Sequence, residues 1–405
     1  MKIFIVCSNL RHGGAERVAA TLASGFHDRG HDISVITNLF EPINFQPRQG
    51  VLLKSLFSTN NNKLRKWTSA FRILRGYIKS DRPDVIIGIM GTCSLIARIA
   101  ALGTKARVVM TEHSPFERPT IEPFSPLGKI FKFHINKIYH HLTVLSERDR
   151  EVIGNRLKHV DVMPNPLCIE PVKDIPNKSK VVLAVARTDD WVCKGLDVLL
   201  KAWCVIQDSH IKNQIEMDPW WLVIAGKVTA ESLETLTSMI PDGGEIKRFL
   251  GEDGQKSWKS DKYHIEFLGF KKDVKSLFLQ SEIFVLSSRY EGFGLVLIEA
   301  MSQGCAPVAC DYKGRQMEIL SPSHTSPQRK KDSVNDIILT ENGILCTPDN
   351  VEVLMKSLKM MMEDNDYRHR VQRNAVERSK FYDMYHTMNR WEKYLSHILK
   401  IVKNE

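Results

Sequence analysis

The sequence contains no apolar run close to the ~20 residues that a membrane-spanning helix requires, so no spanning helix is expected. Its eight cysteines, at positions 7, 93, 168, 193, 204, 305, 310 and 346, form no Cys-x-x-Cys pair. That argues against zinc ribbons and thioredoxin-type redox sites. There is no His-Glu-x-x-His, no complete Gly-x-Gly-x-x-Gly and no Walker lysine, so zinc-protease, dinucleotide and P-loop sites are unsupported. Nothing resembles a zinc finger, a KH loop or an RRM aromatic signature. The apolar run Ile3 to Cys7 is shorter than the about 7–15 residues of a signal-peptide core and reads as a first strand. A cytoplasmic protein with free thiols is expected.

What is present is ordinary for a globular chain. The 405 residues are 43% apolar and 26% charged, enough for two domains of ~200 residues, each with its own core. The net charge of +10 is unevenly placed. Residues 1–170 hold 24 Lys and Arg against 14 Asp and Glu, and the remainder holds 33 of each. A basic first half suits the phosphates of a nucleic acid, the headgroups of an anionic membrane, or simple solubility.

Short β-branched runs alternate with helical patterns along the whole chain. Strands are expected at Ile3–Cys7, Ile33–Thr37, Val85–Ile89, Val108–Thr111, Leu142–Leu145 and Val160–Met163. A second series follows at Val181–Ala186, Leu222–Ala225, Ile265–Leu268, Ile283–Leu286 and Pro307–Cys310. Continuous apolar strands separated by helices imply an α/β fold with parallel sheets covered on both faces. The series breaks at Met163-Pro164-Asn165-Pro166, and the polar, Pro-rich stretch Pro171–Lys180 reads as an interdomain linker. This gives domains 1–170 and 171–380, and a helical segment 381–405 that is expected to pack back across the junction. The polar stretch 321–335 reads as a loop. Ligands bind at the C-terminal ends of parallel strands, so two such domains face to face would aim their loops into one cleft.

The richest motif is Glu291-Gly-Phe-Gly-Leu-Val-Leu-Ile-Glu299, which follows a strand. Its glycines let the backbone approach a ligand. A helix starting at Leu295 would turn the N–H groups of Phe293 and Gly294 toward a phosphate, with one carboxylate at each end to take hydroxyl groups. Arg187 ends the strand Val181–Ala186, and Lys194-Gly195 precedes the next helix; a fork-like and a point-like cation there suit a diphosphate. Gly13-Gly14 repeats the glycine-before-helix pattern after the first strand. His113 follows the strand Val108–Thr111, where it can donate to a sugar hydroxyl or to developing negative charge. Each has a plain structural alternative: a solvated carboxylate, exposed loop cations, a tight turn, a satisfied histidine.

Taken in order, Gly13-Gly14-Ala15-Glu16, Glu112-His113, Pro164-Asn165-Pro166, Ala186-Arg187…Lys194-Gly195, Glu291-Gly-Phe-Gly…Glu299 and Asn342-Gly343 resemble the family-4 retaining glycosyltransferases of the GT-B fold. The resemblance implies two Rossmann-like domains facing across a cleft, the first binding acceptor and the second a nucleotide-sugar donor. It implies transfer of a hexose or N-acetylhexosamine, from a UDP-sugar by expectation, to a lipid-linked glycan of surface-polysaccharide biosynthesis. It also implies that Arg187 and Lys194 bind the donor diphosphate together with the backbone of Phe293, Gly294 and Leu295. Glu299 would take the ribose, Glu291 the transferred sugar, His113 the neighbourhood of that sugar, and Gly13 and Gly14 the loop near diphosphate and acceptor. Ala186 replaces a usual glycine, and one glycine, Gly314, stands where a pair is common.

A retaining glycosidase sets two carboxylates ~5 Å apart about one bond, whereas Glu291 and Glu299 would lie at opposite ends of a donor. The family is similar in lacking an evident base. The departing phosphate can then take the acceptor's proton on the same face, with no cofactor; the expectation that no Asp-x-Asp metal motif is present goes with metal independence. A sugar-nucleotide epimerase of the same fold and a basic nucleic-acid-binding protein are the rival readings; the first reading takes no nucleic acid.

Residues 64–79 form a basic amphipathic helix, with Leu64, Trp67, Phe71, Leu74 and Ile78 on one stripe and cations 65, 66, 72, 75 and 79 mostly off it. Residues 127–139 are a second candidate. Each stripe could instead pack on the first sheet as an ordinary crossover helix, and for 64–79 that reading of the apolar face is favoured, because Asp84–Ile89 follows at once as the next strand. The exposed cations would still favour peripheral binding at the inner face of the cytoplasmic membrane.

Overall fold

The computed structural model describes residues 1–11, 13–58, 63–118, 123–139, 141–212, 219–250, 256–321 and 337–401, without the side chains of 63–67, 210–212, 244, 250 and 401. Most of the polar stretch 321–335 lies outside the described residues. The chain forms two compact units, Met1–Cys168 with Tyr382–Glu405, and Ile169–Phe381.

Unit 1 runs β1 (Lys2–Val6), α1 (Gly14–Asp28), β2 (Asp32–Thr37), β3 (Leu52–Ser55), α2 (Lys63–Asp81), β4 (Val85–Ile89), α3 (Met90–Ala100), β5 (Arg107–Thr111), α4 (Pro126–Phe133), β6 (His141–Val144), α5 (Glu147–Ile153) and β7 (Val160–Val162). The strands are parallel, in the order β3-β2-β1-β4-β5-β6-β7. Ile3, Phe4, Ile5 and Val6 of β1 are all fully buried because helices cover both faces. The order reverses between β1 and β4, which makes the crevice beyond their C-terminal ends the natural ligand site.

Unit 2 runs β8 (Ser179–Val185), α6 (Trp191–Lys194), α7 (Leu196–Lys212), β9 (Trp221–Ala225), α8 (Ala230–Thr237), β10 (Lys247–Leu250), β11 (Lys256–Ser260), β12 (Ile265–Gly269), α9 (Lys275–Gln280), β13 (Ser281–Leu286), α10 (Leu295–Ser302), β14 (Ala306–Cys310), α11 (Arg315–Leu320), β15 (Ile337–Thr340), β16 (Gly343–Cys346), α12 (Val351–Glu363) and α13 (Asn365–Ser379). Its sheet order is β10-β11-β12-β9-β8-β13-β14-β16-β15, reversing between β8 and β13. The expected all-parallel sheet is corrected at both edges, where β10–β11, β11–β12 and β15–β16 pair antiparallel. The outermost strands β10 and β15, like β3, are partly or fully exposed rather than buried on both faces.

One further expectation changes, and one reading of the 64–79 helix is selected. The stretch Pro171–Lys180 is not a free linker but is bonded along unit 2. Val172 N donates to Ser302 O, and Lys178 Nζ donates to the carbonyls of Phe278 (2.6 Å), Leu279 (3.1 Å) and Gln303 (2.9 Å). Those carbonyls close α9 and follow α10, where a cation satisfies both the open acceptors and the helix dipoles. In α2, Ala70, Leu74 and Ile78 are buried in the unit 1 core, with Phe71 packed against it. The stripe over 64–79 is therefore crossover-helix core from Ala70 onward, while the side chains of Leu64 to Trp67 lie outside the described residues.

The last helix, α14 (Met384–Ile401), belongs to unit 1. Gly25 of α1 lets it close in: a Cβ there would stand 2.2 Å from Met384 Cε. Trp391 is buried edge-on to Phe26 (6.1 Å between centroids) and Tyr394 (5.9 Å), and Arg29 donates to Glu392 (3.2 Å) and Asn389 (2.9 Å). Trp391→Ala is expected to cost unit 1 about 3–5 kcal/mol, the usual loss for a buried aromatic truncated to alanine. Denaturant unfolding followed by circular dichroism checks this; a loss no larger than that of a surface substitution would show that α14 does not stabilise the unit.

Candidate active site

Two constellations distant in sequence meet at the reversal point of unit 2. One follows β8, the other β13. Lys194 ends α6, and Glu291 lies in the loop between β13 and α10; Lys194 Nζ donates to Glu291 Oε1 at 2.7 Å. Ser288 Oγ donates to the same oxygen at 2.7 Å. Burial alone would push the Lys194 ammonium down, but the Glu291 carboxylate outweighs it and holds the lysine above its ordinary value. The pair is mostly shielded from water.

The surrounding chain fixes that pair. Arg289 forks onto Asp197 with two bonds of 2.8 Å and reaches Asp349 at 2.6 Å. Its own N–H donates to Cys193 O at 2.8 Å, and Ser287 Oγ donates to Lys194 O at 2.8 Å. The β13 loop is thus stitched to the α6–α7 corner on both sides of the Lys194–Glu291 contact. Gly195 makes the close approach possible. It sits at φ +61°, and a Cβ would lie 2.1 Å from Ser287 O, a backbone atom that cannot move aside. No role is assigned to Ser287-Ser288-Arg289-Tyr290 on sequence alone. An arginine and two serines directly before the Glu-Gly-Phe-Gly run were the available signal.

The other expected residues of unit 2 are placed as follows. Gly294 caps α10 at φ +89°, Leu295 opens the helix, Phe293 is buried, and Glu299 is buried on the helix's second turn. Arg187 follows β8 but is largely exposed, paired with Asp190 (3.3 Å) and more loosely with Asp189 (3.8 Å). Sequence reasoning passed over Gln316. This residue is buried, near the position a Gly294 Cβ would occupy (3.9 Å from Nε2), and its amide has no hydrogen-bond partner among the described residues. The Asp311 carboxylate shapes that loop by accepting from the N–H groups of Gly314, Gln316 and Met317.

In unit 1, Gly13 precedes α1 at φ +105° and Gly14 is its first residue, beyond β1. His113 lies beyond β5. Thr111 Oγ1 gives its proton to Gly88 O (3.1 Å), so it accepts from His113 Nε2–H (3.1 Å), which places the ring proton on Nε2. Asn165 lies beside the ring, and burial pushes the imidazole down to about 4, so it is neutral under ordinary conditions. With Nε2–H on Thr111, Nδ1 is the ring atom left to accept. Neighbouring Glu112 is structural. It is buried against Lys132 at 2.9 Å and accepts from Ser114 Oγ at 2.8 Å.

The chain does contain one Asp-x-Asp triplet, Asp364-Asn365-Asp366. It starts α13, and Asp364 is the helix cap, accepting from Tyr367 N at 2.8 Å. Among the described residues no three His, Cys, Asp or Glu side chains cluster as metal ligands.

Residues 169–378 match the glycosyl transferases group 1, and residues 12–170 match glycosyltransferase family 4. The chain belongs to the family-4 glycosyltransferases. The two matches meet where the chain divides into its two units. It shares 24% identity with the GalNAc-α-(1→4)-GalNAc-α-(1→3)-diNAcBac-PP-undecaprenol α-1,4-N-acetyl-D-galactosaminyltransferase of Campylobacter jejuni, over 98% of this chain and 99% of the relative. It shares 23% with that organism's N-acetylgalactosamine-N,N′-diacetylbacillosaminyl-diphospho-undecaprenol 4-α-N-acetylgalactosaminyltransferase, over 94% and 96%. The crystal structure of Anabaena HepE in complex with UDP superposes with a TM-score of 0.71 at 19% identity, covering 98% of this chain and all of HepE. The fold is the two-domain GT-B fold, and the protein is a glycosyltransferase.

The neutral His113 has a thermodynamic signature. Its folded pKa of about 4 lies below the ordinary 6.5, so between these values the unfolded chain binds the extra proton. Stability from burying the neutral ring is complete above pH 6.5 and is lost as the pH falls toward 4. Denaturant melts of wild type and His113→Gln across this window share every other titration. Wild type is expected to lose its margin over the variant on acidification; a difference that stays constant with pH would refute the buried neutral ring.

Proposed function

We propose that the chain is a retaining glycosyltransferase that moves a hexose or N-acetylhexosamine from a UDP-sugar to a lipid-linked saccharide, without metal or cofactor. The observation that carries this is the Lys194–Glu291 pair at the reversal point of unit 2. It sets a half-buried cation beside a carboxylate directly ahead of a glycine-capped helix N-terminus, the combination that a sugar diphosphate needs. Both Campylobacter relatives carry undecaprenol-linked saccharides in their names, and HepE is titled with UDP. These support the acceptor and donor classes for this chain.

In this mechanism Lys194, Arg187 and the backbone of Phe293, Gly294 and Leu295 neutralise the charge that grows on the departing diphosphate. This preorganised electrostatic stabilisation supplies the main rate enhancement. Glu299 holds the ribose and Glu291 the hydroxyl groups of the transferred sugar. The anomeric carbon–phosphate oxygen bond breaks while the acceptor hydroxyl bonds to the anomeric carbon on the same face. The hydroxyl proton passes to the released phosphate oxygen, so configuration is retained. In unit 1, Gly13 and Gly14 leave the end of β1 clear for acceptor and diphosphate. His113 contributes a neutral imidazole near the transferred sugar.

Thermal shifts with UDP, GDP and ADP, and transfer from the matching sugars followed by product anomer analysis, test the proposal. Glu291→Ala is expected to lower kcat strongly while UDP binding persists; Glu299→Ala is expected to weaken UDP binding. Arg187→Ala and Lys194→Ala should each lose about 1.5–3 kcal/mol of UDP affinity. Lys194→Ala should also lower kcat, since it strips Glu291 of its cation. Chelator should leave the rate unchanged. Inverted product, chelator-sensitive turnover, or near-wild-type transfer by Glu291→Ala would each overturn the corresponding assignment.

A further inference from the structure

We propose that the outer face of α4 is a membrane-docking surface whose partner is the headgroup region of an anionic bilayer. Leu127, Ile130 and Phe131 lie at spacings of three and four on this helix, so they share one face. Together with Ile138 on the following turn they are between 39% and 64% exposed. In most helices such a face is the one that packs on the core; here it is turned outward.

The inner face explains why. Lys132 is buried, and its ammonium donates to Ser114 O (2.9 Å) and Ser114 Oγ (2.8 Å), pairs with Glu112 (2.9 Å) and stands 4.4 Å from the Phe116 ring centroid. Phe133 packs edge-on against Phe116 at 5.6 Å. Ser125 caps the start by accepting from Gly128 N at 3.1 Å, with Pro126 at the first helical position. Rolling the helix to bury Leu127, Ile130 and Phe131 would break the Lys132 pair, so their exposure is built in.

Charge selects the partner. From Pro123 to Ile138 the sequence has no Asp or Glu, and Lys129 and Lys137 are exposed beside the apolar residues. A two-fold contact with a second copy would bring these lysines against the same basic face with no acidic residue in the segment to meet them. An anionic bilayer offers both a hydrocarbon boundary for the apolar face and phosphates for the lysines, the usual composition of interfacial helices. Lys132 also holds Ser114, next to His113. Docking through α4 would therefore keep the His113 loop near the surface where a lipid-linked acceptor presents its saccharide, a link that rests on the function proposed above.

The test is cosedimentation of the full chain with vesicles of phosphatidylcholine alone or with a quarter phosphatidylglycerol. Wild type is expected to sediment with the anionic vesicles at low salt and to be released by about 300 mM salt, as screening shortens. The double variant Ile130→Ser/Phe131→Ser removes only exposed side chains. It should lower vesicle partitioning by about tenfold or more with an unchanged melting temperature and an unchanged UDP-induced shift. Lys129→Glu/Lys137→Glu should weaken binding to anionic vesicles only. No binding by wild type, equal binding to neutral vesicles, or undiminished binding by the serine variant would overturn the proposal. So would a wild-type dimer in sedimentation velocity that the serine variant dissolves. If UDP shifts neither protein, the donor assignment fails while the docking result stands.

Discussion

The contact between Lys194 and Glu291 is the constraint on which the rest of the candidate site depends. It joins the loop after β8 to the loop after β13, the two strands between which the sheet of unit 2 reverses direction. Half-shielded charges cannot stand alone, because each would carry an uncompensated desolvation cost. The pair therefore fixes both loops at once. Ser288 also donates to the carboxylate, Arg289 and Asp197 brace the loops from behind, and Gly195 allows a close approach to the Ser287 carbonyl that a Cβ would forbid. A site held this way is preorganised: its charges are in position before any ligand arrives, so little reorganisation is left for later steps.

Unit 1 uses the same device at the end of β5. The Glu112–Lys132 pair ties the His113 loop to α4, as Lys194–Glu291 ties two loops in unit 2. The consequences differ. Lys194 is mostly shielded yet held charged above its ordinary value by its carboxylate. Burial dominates at Lys132 and pushes it below. Lys132 acts as an anchor rather than a ligand. Its position sets which face of α4 meets solvent, and that in turn leaves Leu127, Ile130 and Phe131 outside.

The parts of the fold that were legible in the sequence are those governed by local rules. Central strands such as β1, β4, β13 and β14 are buried on both faces and so read as unbroken apolar runs. The outermost strands β3, β10 and β15 are not among the expected ones, because a strand with one neighbour needs no such run; β11 is half-exposed and polar, and β16 (Gly343–Cys346) is buried but only four residues long, too short to stand out. The segment 171–180 is rich in proline, lysine and polar residues, yet Lys178 satisfies three carbonyls that belong to residues about a hundred positions or more away. No local pattern announces a partner at that distance.

The sequence by itself determined the α/β class, the two-part organisation, the order of the glycine-before-helix motifs, and the residues Arg187, Lys194, Glu291, Glu299 and His113 as candidates. Each follows from residue type and spacing along a single strand–loop–helix unit. Only the tertiary structure decided that Lys194 pairs with Glu291, since 97 residues separate them and strand order alone brings them together. It also brought His113 Nε2–H to donate a hydrogen bond to Thr111 Oγ1, whose own hydroxyl donates to the carbonyl of Gly88 on the neighbouring strand. And it reversed the ranking of two amphipathic helices. Periodicity measures how apolar one face is, but whether that face meets the core or water depends on where a side chain such as Lys132 finds its counter-charge.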